Sequence, residues 1–182
     1  MGRKPETTRE AMIEGAFQLI RREGYVALTA RRLAEELGCS TQPIMYQFPN
    51  LEDLKDLVYL RADRYHSEYI TAEDDFLAIG LRYVRFASEE SHLFRFLFQS
   101  NRFDGTNIRQ LTHEAVDASV VKAAARELEM PEATALEAFE VLFAMVHGYA
   151  SLVANNAMVY DEDALRKNLT LAAEGLMKNM TE

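Results

Sequence analysis

A single cysteine, Cys39, occurs in 182 residues, and tryptophan does not occur at all. One thiol cannot close an internal disulfide, and no second cysteine or clustered histidines stand near it to form a zinc-binding pattern. Free cysteine behaves as a small hydrophobe, so a buried packing role is expected for Cys39. The histidines stand apart at positions 66, 92, 113 and 147, none of them an evident partner for the cysteine, and there is no glycine-rich phosphate loop. No cofactor and no metal are expected, and the chain is not expected to be an enzyme. Eight glycines and four prolines are too few for a disordered or low-complexity tract, and no internal repeat is visible. Long apolar runs are missing too, since no stretch approaches the roughly 20 uninterrupted apolar residues of a membrane span. The opening MGRKPETTRE lacks the apolar segment of a secretory signal, and Glu6 stands where a myristoylation site needs serine or threonine. The expected location is the cytoplasm.

Positive charge is also in short supply, with 20 Lys/Arg against 29 Asp/Glu and a net charge of −9. The deficit is uneven. Residues 1–50 hold seven Lys/Arg and six Asp/Glu, a balance of +1, whereas residues 51–182 hold thirteen and twenty-three, a balance of −10. Nucleic-acid binding depends on the charge that faces the phosphates, not on the total. The acidic sum therefore leaves the N-terminal end eligible to bind DNA and directs the rest of the chain to another task.

What the chain does have is helix-period apolar patterning along almost its whole length, and no segment alternates with the two-residue period of a strand. An all-α fold is expected. Thr7 and Glu10 have capping-box spacing, after which Ile13, Ala16, Phe17 and Ile20 form one stripe that stops near Gly24. A second helix opens at Thr29, turns Leu33, Ala34 and Leu37 inward and ends at Gly38. Ser40 caps a third, so GCS is a tight turn, and the two short helices form a helix-turn-helix unit. Pro43 is the third residue of that last helix, where its missing N–H would have had no acceptor. At about 100° per residue, Ile44 and Phe48 face inward while Gln42, Met45 and Tyr46 face outward, with Gln47 beside them. Glutamine pairs bidentately with adenine, methionine meets the thymine methyl, and a tyrosine hydroxyl reaches a phosphate oxygen. Arg3, Lys4, Arg31 and Arg32 supply positive charge for the DNA backbone. The competing reading is a helical hairpin that merely packs on the larger domain.

Further helices are expected over about 50–69, 74–88, 91–99, 108–129, 132–155 and 161–178, with SNRFDGTN as the clearest loop and Pro131 in the first turn of the penultimate helix. In LEAFEVLFAMVHGYASLVANN the apolar residues cover more than half of the helix circumference, which suits two partners: the chain's own core and a second copy. Val146, Tyr149 and Val153 of this helix, with Leu165, Leu169 and Leu176 of the last one, are the expected dimer interface, two helices from each subunit forming a four-helix contact. His147 is expected as a packed residue with its nitrogens satisfied, and Gly148, which costs helix propensity, points to close helix packing.

TARRLAEELGCSTQPIMYQFPNLEDL, with EGAFQLIRREGY before it, resembles the DNA-binding region of TetR/AcrR-family transcriptional regulators over about residues 8–58. The features that carry the resemblance are in register: the Gly24-Tyr25 break, Thr29, Leu33-Ala34, Leu37-Gly38, Ser40, Tyr46, Phe48 and Glu52-Asp53-Leu54. The resemblance implies an N-terminal three-helix helix-turn-helix DNA-binding domain, residues 1–49, and a C-terminal helical ligand-binding and dimerisation domain, residues 50–182. It implies a homodimeric repressor on a near-palindromic double-stranded DNA operator, with helix 29–37 in support and helix 41–48 in the major groove. Gln42, Met45 and Tyr46 would read bases, and Arg3, Lys4, Thr29, Arg31, Thr41, Gln47 and Lys55 would hold the DNA backbone. Lys55 stands in for a phosphate-binding lysine that many members carry where this chain has Leu51. Other departures fall on the reading surface, where many members have glycine at the position of Gln42, tyrosine at Met45, and histidine or tyrosine at Gln47.

SHLFRFLF and HGYASLV also resemble the C-terminal domain of one branch of the family, in which a His-Gly pair recurs in the penultimate helix. The resemblance extends to the domain type and implies a cavity but no particular ligand; the aromatic-rich interior suits a small apolar or aromatic effector, with Phe76, Tyr83, Phe94, Phe98, Phe143 and His147 as pocket candidates. Aromatic residues at helical spacing are more often ordinary core than cavity lining. A different class of function also fits the pattern: an all-helical protein-interaction module that has lost DNA recognition.

Overall fold

The computed structural model describes residues 8–72, 75–102, 105–107, 110–112, 118–155 and 158–180. Among these, all regular elements are helical, as expected. They are α1 (Arg9–Glu23), a 3-10 turn (Tyr25–Ala27), α2 (Ala30–Leu37), α3 (Thr41–Gln47), α4 (Leu51–Ile70), α5 (Phe76–Glu89), α6 (Ser91–Phe98), α7 (Ala118–Glu127), α8 (Glu132–Ala154) and α9 (Glu162–Met180). Thr7, Asp74, Phe103 and His113 lie outside the described residues, as does most of the N-terminal half of the helix expected over 108–129.

Local chemistry sets the helix ends. Thr8 caps α1, its hydroxyl oxygen accepting from the Ala11 N–H at 3.1 Å. Gly24 ends that helix at φ 85°, a left-handed value open to glycine, with its N–H on the Ile20 carbonyl at 2.8 Å. Gly38, at φ 62°, ends α2 in a Schellman turn: its N–H reaches the Glu35 carbonyl at 3.2 Å, and the Cys39 N–H reaches that of Ala34 at 3.0 Å. Cys39 is only half-buried there, not enclosed as expected. The Asn50 side chain accepts from the Glu52 N–H at 3.1 Å, that of Asp75 from Ala78 at 2.6 Å, and that of Asp161 from Ala164 at 3.0 Å. Pro131 occupies the N-cap position of α8, one residue before the first turn.

The chain forms two compact units, one of residues 1–66 with 92–102 and one of residues 67–91 with 103–182. The core of the first unit is built from Met12, Phe17, Ile20, Leu33, Ile44, Phe48, Leu54 and Val58 together with Leu93, Phe94 and Phe96 of α6. Phe96 lies 6.1 Å from Tyr25 and 5.9 Å from Tyr59 between ring centres. A Cβ placed on Gly24 would come within 3.1 Å of the His92 ring, so this glycine answers both to its backbone angle and to α6. Arg102 joins the same cluster, over the Tyr59 ring at 4.8 Å and paired with Asp56 at 2.6 Å.

In the second unit α8 packs against α5, α7 and α9. Ala124, Leu128, Met130, Ala135, Ala138 and Leu142 form one apolar cluster, closed by Phe76 and by Ala172, Leu176 and Met180 of α9. Gly80 lets α5 come close: a Cβ there would stand 3.3 Å from Leu169 and 3.8 Å from Val146. Gly148 is different, with nothing within 4 Å of where its Cβ would be, so the close packing expected of it does not occur among the described residues. Among the described residues, α8 is the one helix long and apolar enough, by length and composition, to cross a bilayer. Glu137 and Glu140 interrupt it, and its buried face belongs to the core just described.

His66 is 6 % exposed and meets the Phe98 ring edge-on at 5.2 Å. Burial pushes its pKa down from 6.5 to about 3. The folded state keeps this imidazole neutral while the unfolded chain takes up a proton below pH 6.5. Its share of stability is therefore intact above pH 6.5 and is lost progressively as pH falls toward 3. Urea midpoints taken between about pH 7 and about pH 5 should fall more steeply for the wild type than for His66→Phe. Parallel curves would contradict the assignment.

Candidate nucleic-acid interface

α3 is seven residues long, TQPIMYQ, and none of them is charged. Ser40 stands at its cap in extended backbone, without a side-chain bond into the helix. Ile44 is 0 % and Phe48 1 % exposed, whereas Met45 is 43 % and Tyr46 83 % exposed. Thr41, Gln42 and Gln47 are exposed as well, and Pro43 is half-buried. The expected inward and outward faces are both present, so Gln42, Met45 and Tyr46 form one continuous uncharged surface.

Among the described residues, cations of the helices that flank α3 in sequence are engaged. Arg22 pairs with Glu36 at 2.7 Å and with Glu23 at 3.0 Å, while Arg32 pairs with Glu23 at 2.7 Å and Glu35 at 2.6 Å. Arg31, its side chain 87 % exposed, reaches Glu35 at 3.3 Å. Hydrogen bonds from Arg32 hold the carboxyls of Glu23 and Glu35 below the usual range, and those from Arg22 do the same for Glu36. Lys55 is tied to Glu52 at 2.7 Å, and Arg9 sits over the Phe48 ring at 5.2 Å. Thr29 accepts from the Arg32 N–H at 3.2 Å and so caps α2. Exposed pairs of this kind add little in water, so a phosphate can replace a carboxylate at little cost. Arg3 and Lys4 lie outside the described residues.

The pocket candidates divide between the units. Phe76, Tyr83, Phe143 and His147 come together in the second, where rings of α8 stand four residues apart. Phe139 stacks on Phe143 at 5.8 Å, and Phe143 lies 5.5 Å from His147. From α5, Phe76 meets Phe139 at 6.2 Å and Tyr83 meets Phe143 at 6.0 Å. The Tyr83 hydroxyl and His147 Nδ1 are 2.9 Å apart, and burial lowers the pKa of His147, favouring the neutral ring. Phe94 and Phe98 belong to the first unit, where their rings are 4.9 Å apart and Phe94 is fully enclosed.

Of the expected interface residues, Val146, Val153, Leu165 and Leu169 are buried within the second unit. Leu176 packs on its apolar cluster, and Tyr149 is half-buried. The same two helices present other residues outward: Val141 and Leu152 on α8, 55 % and 50 % exposed, and Leu171 on α9, 67 % exposed. Gly148, with open space around it, lies between Val141 and Leu152 on one face, and Gly175 follows Leu171 by one turn in the same way. The signal for this face was in the sequence, as a second stripe at 141, 145, 148 and 152. Periodicity alone did not say which stripe met the subunit's own core.

Comparison with known proteins places this arrangement. Residues 76–172 match the family described as tetracyclin repressor-like, C-terminal domain. The fold is similar to the crystal structure of a TetR transcriptional regulator from Rhodococcus sp. RHA1, with a TM-score of 0.56 and 17% identity over 93% of this chain and 96% of that one. No curated protein matches the chain.

Inward and outward positions of α3 should separate in the laboratory. Ile44→Ala is expected to cost about 2–5 kcal/mol in urea unfolding, since it empties a closed site. Gln42→Ala and Tyr46→Ala should each stay within about 0.5 kcal/mol of the wild type. A destabilised Tyr46→Ala would place that ring in the core instead.

Proposed function

Because this chain belongs to the tetracyclin repressor-like (TetR) family of DNA-binding transcriptional regulators, we propose that it is a repressor. It binds a near-palindromic operator as a homodimer in the cytoplasm and responds to a small apolar or aromatic effector. The observation that carries this reading is the exposed, uncharged face of α3, held outward by the burial of Ile44 and Phe48. Gln42, Met45 and Tyr46 read bases in the major groove. Arg3, Lys4, Thr29, Arg31, Thr41, Gln47 and Lys55 serve the phosphates, Arg31 and Lys55 by exchanging their present carboxylate partners.

Residues 1–49 are the reading head, and residues 50–182 carry the effector and dimer functions. The effector site is the aromatic group of Phe76, Tyr83, Phe143 and His147, with the Tyr83–His147 pair as its polar point. The dimer forms through the outward faces of α8 and α9, where Val141, Leu152 and Leu171 are exposed and the open glycines 148 and 175 admit a close partner. Four helices, two from each copy, would then set the spacing of two reading heads along the operator. Effector binding acts by shifting the population of spacings, with α4, whose residues fall in both units, as the connecting element. The alternative, an interaction module without DNA recognition, draws its support from the engaged cations around α3.

Val141→Glu with Leu152→Glu should leave a folded monomer by sedimentation. Losing the second head should weaken operator binding on the order of 100-fold. A double variant that still dimerises rules out this interface, and a wild-type protein that binds no duplex at low salt rules out the regulator.

A further inference from the structure

The chemistry displayed by α3 restricts what it can read. In the major groove guanine is recognised by the donors of arginine or lysine, cytosine by a carboxylate, adenine by the amide of glutamine or asparagine, and thymine through its methyl group. α3 carries no arginine, lysine, aspartate or glutamate. The nearest arginines in sequence, Arg31 and Arg32, stand on α2 and not on α3; Arg31 is given to the phosphates in the reading above, and Arg32 is shared between Glu23 and Glu35. The exposed side chains of α3 are those of Thr41 and Gln47, given to the phosphates in the reading above, and an amide at Gln42, an apolar thioether at Met45 and a phenol at Tyr46.

Spacing adds a second restriction. Gln42 and Met45 are three residues apart on one side of the helix, so about 4.5 Å separates them along its axis. That is close to one base-pair step of about 3.4 Å. On a helix lying along the groove, two side chains so spaced suit neighbouring base pairs better than a single one.

We propose that α3 reads two adjacent A·T pairs in each half-site, Gln42 pairing with the adenine of one and Met45 covering the 5-methyl group of thymine on the next. This rests on the DNA-binding reading above. It adds that operator recognition depends on a methyl group, a contact with no charge and hence no direct dependence on salt. Affinity should fall with salt as phosphate contacts are screened, while discrimination against a duplex lacking that methyl should persist.

The test starts from the full-length chain and a pool of random duplexes, selected at low salt. Two adjacent A·T pairs at one fixed place in each half-site are expected. In the selected duplex, uracil is then put in place of thymine, one position at a time in both half-sites. At one position the affinity should fall about fourfold per half-site, the effect of one buried methyl group. Met45→Ala should bind the thymine and uracil duplexes alike, and Gln42→Ala should lose adenine discrimination on the order of tenfold at the neighbouring pair. Both side chains are exposed, and unchanged thermal unfolding of the variants confirms that they fold. A conserved G·C pair facing α3, a duplex indifferent to uracil everywhere, or a uracil effect that survives in Met45→Ala overturns the proposal while leaving the regulator intact. Selection of no duplex at all overturns both.

Discussion

A helix of two turns has no stability of its own in water, because the cost of its first turn is not recovered over so short a length. α3 therefore exists only while Ile44 and Phe48 remain enclosed in the first unit. Those two side chains, four residues apart, fix the rotation of the helix about its axis, and the rotation decides that Gln42, Met45 and Tyr46 point outward. The Schellman turn at Gly38 and Cys39 fixes where α3 begins, and Pro43 presets the angle of its first turn at a position with no N–H to lose. Nothing about the reading surface is independent of these few contacts.

Around this surface the charge is arranged to be exchangeable. Arg22, Arg31 and Arg32 share three glutamates on the surface of α1 and α2, which offsets the repulsion of neighbouring cations; in the proposed function one of those glutamates, Glu35, is what a phosphate displaces from Arg31. Each pair is weak enough to be replaced by a phosphate. The arrangement keeps the arginines soluble and oriented, but it also limits how much affinity they add, since one anion is given up for each gained. In the proposed function that leaves a larger share of discrimination to the uncharged α3.

The head was legible in the sequence because its signals are local. Thr29, Gly38, Ser40 and Pro43 act on their own backbone, and their effects are complete within one turn. The first cap was misplaced by one residue, to Thr7 and not Thr8, since two threonines in succession offer the same chemistry. The second half was less legible because its questions are not local. α8 is apolar nearly all the way round, so Val146 and Val153 on one stripe and Val141 and Leu152 on the other had equal claim to a partner, and only packing against α5 and α9 chose between them. Phe94 and Phe98 share the aromatic character of Phe143, yet they close the first unit's core, a fact that depends on the path of the chain and not on residue type. The family match fell on residues 76–172, where the sequence resemblance was thinner than in the head.

Gly24 meets two demands that are separate in origin. Its φ of 85° excludes most side chains through the backbone alone, and the imidazole of His92 stands 3.1 Å from where a Cβ would be. Trimming His92 would relieve the crowding and leave the strain. A second change at position 92 therefore removes only one of the two costs of a side chain at position 24, whereas Gly38, with nothing within 4 Å, carries the backbone cost alone.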